Sequence, residues 1–188
     1  SRNELIARMD SDDISEKTRC EKQLLAFEKD TDLEMVGSFE AEFIGEKDNV
    51  VSIHRVPETH SDIAKFMRRR CAILHPTVMY KKSAVIRSGN YHSVPLYEDY
   101  DLFARMVLEY NVRSYNIQEN LYYIRTSEDF FKRRGGLKYA KTVLNFKWKQ
   151  HKKGYMSLAD FCISGLGQAF VCVLPNSLRK VIYLKLLR

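Results

Sequence analysis

The sequence has little of what staples small or secreted folds together. Its four Cys (Cys20, Cys71, Cys162 and Cys172) form no CxxC pair and no zinc-like spacing with the five His, which excludes a disulfide scaffold and a structural zinc knuckle. They read as reduced, mostly buried thiols of a cytosolic protein. Four Pro and eight Gly in 188 residues exclude a low-complexity chain. No apolar run is clearly long enough to span a bilayer. Residues 158–174 come nearest, but Asp160, Ser164 and Gln168 interrupt them at i, i+4 spacing, and a spanning helix needs about 20 apolar residues. Ser1 to Asp13 is polar and carries no apolar leader, so the opening reads as the middle of a chain.

What is present suffices for a globular core. Hydrophobic residues make up 45% and aromatics 12%, enough for one domain or one domain with an appendage. The net charge of +7 is lopsided: residues 1–125 hold 18 Lys/Arg against 21 Asp/Glu, and residues 126–188 hold 13 against 3. A basic end suits an anionic partner, whether phosphate, lipid or nucleic acid, or is simply a solvated basic helix. Phe130, Phe131, Tyr139 and Trp148 lie among these charges but read as helix-face core residues, so no nucleic-acid partner is expected.

Periodicity gives a mixed order of elements and an α/β class. Leu5-Ile6-Ala7 reads as a buried strand that empties into an acidic loop. Ser15 is expected to cap a helix over about 16–29 with Cys20, Leu24 and Phe27 on one face. Residues 33–44 alternate as a strand, Phe39, Ala41 and Phe43 against Glu40 and Glu42. Thr59 is a cap for a short helix carrying Ile63, Phe66 and Met67; Leu74–Tyr80 is extended; Ser83–Ile86 is a helical turn closed by Gly89. A helix over Glu98–Tyr110 follows, then short strands at Val112–Asn116 and Leu121–Arg125, a basic glycine-ended loop at 126–136 and an amphipathic helix at Leu137–Lys152. Beyond Pro175, Leu178, Val181, Ile182 and Leu186 share a helical face beside Arg179, Lys180, Lys185 and Arg188. This pattern suits an anionic membrane surface, or docking onto the rest of the chain.

Two acidic clusters carry chemistry. Asp10-Ser11-Asp12 follows an apolar strand, and carboxylates at i and i+2 on a loop can share a hard divalent cation that neutralises a diphosphate. They also suit a helix N-terminus ahead of Ser15. Glu98-Asp99-Tyr100-Asp101 opens a helix. These carboxylates could favour its N-terminus, and their mutual repulsion could equally prepare one as a general base.

Together these pieces resemble a family. Ile6 to Ser15 (IARMDSDDIS) is similar to the DxD segment of family 2 glycosyltransferases of bacterial surface-polysaccharide synthesis. His75-Pro76-Thr77-Val78-Met79-Tyr80 resembles their acceptor-side strand, and Gly89-x-Tyr91 with Tyr97-Glu98-Asp99-Tyr100-Asp101-Leu102-Phe103-x-Arg105-Met106 resembles the block with the catalytic base. Tyr123-x-Arg125 and Lys132-Arg133-Arg134-Gly135-Gly136 complete the order. The resemblance implies a partial GT-A fold that begins at the DxD motif and lacks its nucleotide-binding strands. It divides the chain into an acceptor-side catalytic part at 1–136 and basic amphipathic helices at 137–188. Asp10 and Asp12 would bind Mn2+ or Mg2+, Asp12 more directly. Asp99 would be the base with Glu98 beside it, Arg133 and Arg134 would close over the donor diphosphate, and His75 would shape the acceptor pocket, approach the metal, or equally serve as a buried, hydrogen-bonded structural His.

The function implied is inverting transfer of a sugar from a nucleotide-sugar donor to a glycan or lipid-linked acceptor. The location expected is cytoplasmic, peripheral at the inner face of the cell membrane. The fragment alone is expected to be inactive. The alternative is a truncated, non-catalytic remnant that docks to a membrane or partner.

Overall fold

Strand β3 (Met35–Phe43) organises the sheet, because it pairs with β6 on one edge and with β5 and β4 on the other. The computed structural model describes residues 1–126, 135–176, 178, 179 and 182. On one edge β3 pairs in parallel with β6 (Ser114–Arg125), from Met35↔Ser114 to Phe43↔Arg125. On the other it pairs antiparallel first with β5 (Met79–Lys81) and then with β4 (Val50–His54). β1 (Leu5–Ala7) joins β5 at one rim and β2 (Ile14–Ser15) joins β6 at the other. The order is β1-β5-β3-β6-β2, with β4 branching from β3. The protein is therefore a mixed α/β structure, as the alternation of patterns implied.

Helix α1 (Arg19–Lys29) covers one face of the sheet. A small cluster of Phe27, Leu33, Val36 and Met79 packs there. The main core lies on the other face. It gathers Ile63 and Met67 of α2 (His60–Met67), Ala84 and Val85 of α3 (Lys82–Arg87), Leu102 and Phe103 of α4 (Glu98–Ala104), and Val143 and Phe146 of α5 (Leu137–Lys152). α4 continues into a π-helical turn at Arg105–Glu109. Cys172 of α7 (Gly167–Val173) belongs to the same core, so apolar packing continues across residue 136.

Several expectations need correction. Ser15 does not cap a helix: it pairs with Tyr122 in β2, and α1 begins only at Arg19. The buried side of α1 is Arg19, Gln23 and Phe27, while Leu24 and Cys20 are exposed. Burial at i, i+4 and i+8 here is largely polar, so a hydrophobic count chose the wrong face. Glu40 and Glu42 are buried, not solvent-facing, and Glu40 Oε1 lies 2.8 Å from His54 Nδ1. The two short strands after α4 are one strand with irregular register near Phe39. His75–Thr77 forms a 3-10 turn ahead of β5, where an extended segment was expected. Of the cysteines, all free, only Cys172 is fully buried, and Cys20 and Cys162 are exposed. Thr59 does cap α2, accepting the Asp62 amide.

Past α5 the chain turns back through α6 (Leu158–Asp160), a π-helical stretch at Phe161–Leu166 and α7. Among the described residues no helix is long and apolar enough to cross a membrane. Asp160 and Gln168 of the polar stripe point at the body of the protein, to Arg69 (2.5 Å) and the Tyr97 hydroxyl (3.4 Å). Arg179, expected on a solvated basic face, is buried, and its guanidinium donates to the carbonyls of Cys172 and Leu174 at the end of α7. Those carbonyls have no partner within the helix, and a cation there also meets the negative end of its dipole.

Arg19 is the strongest single test of this fold. It is 2% exposed and its guanidinium donates to the carbonyls of Pro76 and Arg8, both at 2.9 Å. Arg19→Met keeps the volume and strands both acceptors, so a loss of about 3 kcal/mol is expected in urea unfolding. A loss below about 1 kcal/mol would show that water reaches these carbonyls.

Candidate active site

The acidic loop is shaped from below by β6. The Asp10 amide donates to the Tyr122 hydroxyl at 2.9 Å, and Asp13 accepts the Arg125 amide at 2.9 Å. Arg125 Nε reaches the Asp12 carbonyl at 3.3 Å. Burial raises the Asp13 carboxyl above its usual range, against the pull of the Arg125 amide. The Arg8 guanidinium forks onto Asp10 through contacts of 2.5 and 2.6 Å. Asp12 projects outward, exposed, and among the described residues no side chain engages its carboxylate.

His75 lies within electrostatic reach of both clusters; its Nε2 lies 3.0 Å from the Tyr91 hydroxyl and its ring packs edge-on to Phe103. Burial and the Arg8 cation hold the imidazole below its ordinary pKa, while Asp99, Asp10 and Glu98 all oppose that shift. Tyr91 likewise feels both Arg8 and Asp99. A single imidazole thus lies in the field of both carboxylate clusters, so the two share one side of the molecule.

Within the second cluster the carboxylates separate. Asp101 is buried and held by Arg105 (2.9 Å), Lys153 (3.1 Å) and His92 (3.2 Å). Burial works against its charged form, but the Arg105 and Lys153 hydrogen bonds outweigh it and lower its pKa. Asp99 is half-buried and accepts the Tyr100 amide at 2.7 Å through Oδ1. Glu98 is exposed. Neither side chain caps α4, whose N-cap is Tyr97.

Asp99 also lines a cavity of about 560 Å3 between α4, α5 and the helices at residues 158–173. Arg69, Arg70 and Lys147 bring positive charge to it, and Leu96, Ile163 and Val171 form apolar wall. Lys147 is 1% exposed, donates to the Arg69 carbonyl, and is pushed down to about 8 by burial. The thiol of Cys71, in the same lining, is raised by burial and by Asp99.

Oxygen donors at Asp10 and Asp12 are of the right chemical type for a hard divalent cation. Among the described residues no group of three ligating side chains forms a cage. Mg2+ commonly takes one or two carboxylates and completes its shell with water and substrate phosphates. Asp12 fits that role as it stands, and Asp10 fits it once Arg8 lets go.

No family model matches the chain. Individual relatives do. The chain is 36% identical over 186 residues, 99% of its length and 67% of the relative's, to the UDP-Gal:alpha-D-GlcNAc-diphosphoundecaprenol beta-1,3-galactosyltransferase of Escherichia coli. It is 34% identical over 187 residues, covering 97% of the chain and 67% of the relative, to an uncharacterized glycosyltransferase of Haemophilus influenzae. The amylovoran biosynthesis glycosyltransferase AmsE of Erwinia amylovora is 32% identical over 139 residues, 73% of the chain and 51% of that protein. The chain belongs to the glycosyltransferases.

In this glycosyltransferase the residues singled out by sequence fall into two groups. Asp10, Glu98 and Asp99 lie close enough to act on the His75 imidazole, and Asp12 shares the loop of Asp10. Arg133 and Arg134 lie outside the described residues. Motif reading assigned no role to Arg8 and Tyr122, which hold Asp10, to Tyr91, which bonds His75, or to Arg69, Arg70 and Lys147, which line the cavity. Arg68-Arg69-Arg70 is visible as a basic run, but nothing in the run points to Asp99. Lys147 looks like one more charge on an amphipathic helix, and only packing reveals it as buried.

Lys147 makes a pH prediction. Its folded pKa of about 8 lies below the ordinary lysine value of ~10.4, so between these the unfolded chain binds more protons and stability rises with pH. Lys147→Met removes that slope. The difference in unfolding free energy, wild type minus variant, should grow by about 2–3 kcal/mol from pH 7.5 to 10. A flat difference would mean the amine reaches solvent.

Proposed function

We propose that the chain carries the acceptor side of a metal-dependent, family 2 glycosyltransferase of GT-A type. It would move a sugar from a nucleotide-diphosphate donor to a hydroxyl of a glycan or lipid-linked acceptor, with inversion, in bacterial surface-polysaccharide synthesis. The observation that supports this reading is that Asp10, Asp99 and Glu98 all act on the one His75 imidazole. A donor diphosphate at the first cluster and an acceptor hydroxyl at the second would then meet near that ring.

In that reading Asp99 takes the proton from the acceptor hydroxyl as its oxygen bonds to the anomeric carbon. The bond from that carbon to the phosphate oxygen breaks, and its electron pair leaves with the nucleoside diphosphate. Asp99 suits the task because among the described residues no cation is paired with it, whereas Asp101 is neutralised. Its Oδ1 is fixed by the Tyr100 amide, which sets the carboxylate's direction. Mn2+ or Mg2+ at Asp12 and Asp10, when bound, supplies positive charge against the departing diphosphate. His75, hydrogen-bonded to Tyr91 and held below its ordinary pKa, offers a neutral polar edge to the acceptor. Arg133 and Arg134 are assigned by resemblance to the donor diphosphate, where guanidinium forks match phosphate oxygens. The nucleotide-binding half that the resemblance places ahead of Asp10 would hold the base and ribose, so turnover is expected from the chain joined to that half.

A second reading, a non-catalytic docking module, draws on the exposed apolar residues Leu158, Ile163, Leu166, Phe170 and Val173. The two readings separate on Asp99. In the chain joined to its nucleotide-binding half, Asp99→Asn should lower kcat by about 10^2–10^4-fold with the melting temperature held. Chelation should abolish transfer, and added Mn2+ or Mg2+ should restore it. Full activity of Asp99→Asn would remove it from the base role, and no transfer by the parent with any sugar nucleotide would favour the docking module.

A further inference from the structure

Arg8 engages Asp10 in a way that cation binding there has to undo. One guanidinium nitrogen sits on each carboxylate oxygen, Nη1 on Oδ2 at 2.6 Å and Nη2 on Oδ1 at 2.5 Å. A planar fork of this kind is among the stronger hydrogen-bonded geometries open to a carboxylate. A divalent cation binds through those same oxygens. Arg8 and a cation at Asp10 therefore compete for one pair of atoms. Asp12 is under no such competition, since among the described residues no side chain engages its carboxylate.

The fork can open without disturbing the fold. The Arg8 amide donates to the Val78 carbonyl at 3.0 Å, and the Arg8 carbonyl accepts from Arg19. The backbone is thus held on both sides, and only the side chain has to move. The Arg8 and Asp10 side chains are 25% and 43% exposed, so the pair is open to exchange with ions from solution. The same guanidinium acts on the His75 imidazole and the Tyr91 hydroxyl, which lie 3.0 Å apart and both also feel Asp99. Its charge is felt beyond Asp10, where the second cluster acts. Released from Asp10, a partly buried guanidinium calls for another pair of oxyanions, because a desolvated cation without a partner is costly. A diphosphate supplies them, in a geometry that matches the fork.

We infer that Arg8 is a resident counter-ion that passes from Asp10 to the donor diphosphate. A divalent cation takes Asp10 as Arg8 lets go, and the released guanidinium grips the phosphate oxygens. A cation alone meets the competition of Arg8, whereas a cation that arrives with a diphosphate gives Arg8 a new partner. Cation and nucleoside diphosphate then bind cooperatively through a residue that is not itself a metal ligand. The inference rests on Asp10 and Asp12 as the metal and diphosphate end of the reaction, and it names the residue that makes the two ligands depend on each other.

The test is binding by the chain joined to its nucleotide-binding half. Free Mn2+ is followed by electron paramagnetic resonance, and UDP by calorimetry at saturating Mg2+. Arg8→Gln keeps the backbone contacts and should bind Mn2+ alone about fivefold tighter than the wild type, the scale of a partly exposed ion pair. It should bind UDP at saturating Mg2+ about fivefold weaker. In an Asp10→Asn background the gain in Mn2+ affinity should shrink to less than about twofold. Effects of opposite sign on the two ligands separate this role from a structural one, since a loosened loop weakens both. Weaker Mn2+ binding by Arg8→Gln would overturn the inference, as would an equal gain with and without the Asp10 carboxylate, which marks a general field effect. Unchanged UDP binding would overturn the transfer to the diphosphate. Should Asp10→Asn and Asp12→Asn both keep the wild-type Mn2+ affinity, the metal assignment falls and the inference with it. Should both lose affinity while Arg8→Gln is neutral, only the inference falls.

Discussion

The buried guanidinium of Arg19 is the contact on which the site depends. It joins three segments that are far apart in sequence: the end of β1 through the Arg8 carbonyl, the turn before β5 through the Pro76 carbonyl, and β6 through the face of Tyr122. Arg8 carries the fork onto Asp10, His75 directly precedes Pro76, and Tyr122 receives the Asp10 amide. The relative position of the acidic loop and the imidazole is therefore fixed by one planar cation with several donors. Lysine could not do this, because a point charge on a flexible stem lacks the fork. Gln23, one turn along α1, repeats the device with the carbonyls of Val36 and Thr77. Helix α1 is thus fastened to the sheet mainly by side chains meeting strand and turn carbonyls, and less by apolar contact.

That fastening explains what could be read from the string and what could not. Elements with a periodic apolar face were legible: the Thr59-capped helix, the helix opening at Glu98, and α5; the run at Leu5 is a strand as expected, but a half-buried one at the rim of the sheet and not a buried one. α1 was legible as a helix but not in its orientation, since its inward residues are an Arg and a Gln that satisfy carbonyls seen only in three dimensions. Glu40 and Glu42 failed for a related reason. An alternating strand was expected to keep its acids in water, but both edges and both faces of β3 are covered, and His54 supplies a partner for Glu40. For the site, the motif order named Asp10, His75, Glu98 and Asp99, and in the fold the three acids all act on the one imidazole. The cations facing Asp99 were hidden because they come from α5 and the stretch after α2, with no spacing rule linking them.

The helices at residues 158–173 invert the usual amphipathic arrangement. Their acid and amide are spent on the protein, Asp160 on Arg69 and Gln168 on Tyr97. Small residues make the close contact: Gly165 lies where an added Cβ would fall 3.3 Å from the Cβ of Lys147. The large apolar residues are left outside, with Leu158, Ile163, Leu166, Phe170 and Val173 between 47% and 64% exposed. Lys149 and Lys152 belong to the last turn of the neighbouring α5.

Asp99 and Asp101 show how two carboxylates two residues apart come to different duties. Three acids in the first turn of α4 would repel one another if all were solvated alike. The fold resolves this by burying Asp101 and surrounding it with Arg105, Lys153 and His92, so that its charge is cancelled where it is made. Asp99 is then relieved of its nearest competitor while keeping an open side toward the cavity. Removing Asp101 would uncover Arg105, 4% exposed and also holding the Ser88 and Asn90 carbonyls, and so disturb the turn that carries Tyr91. The buried acid positions the half-exposed one, and the spacing of an acidic helix start is what lets one turn supply both.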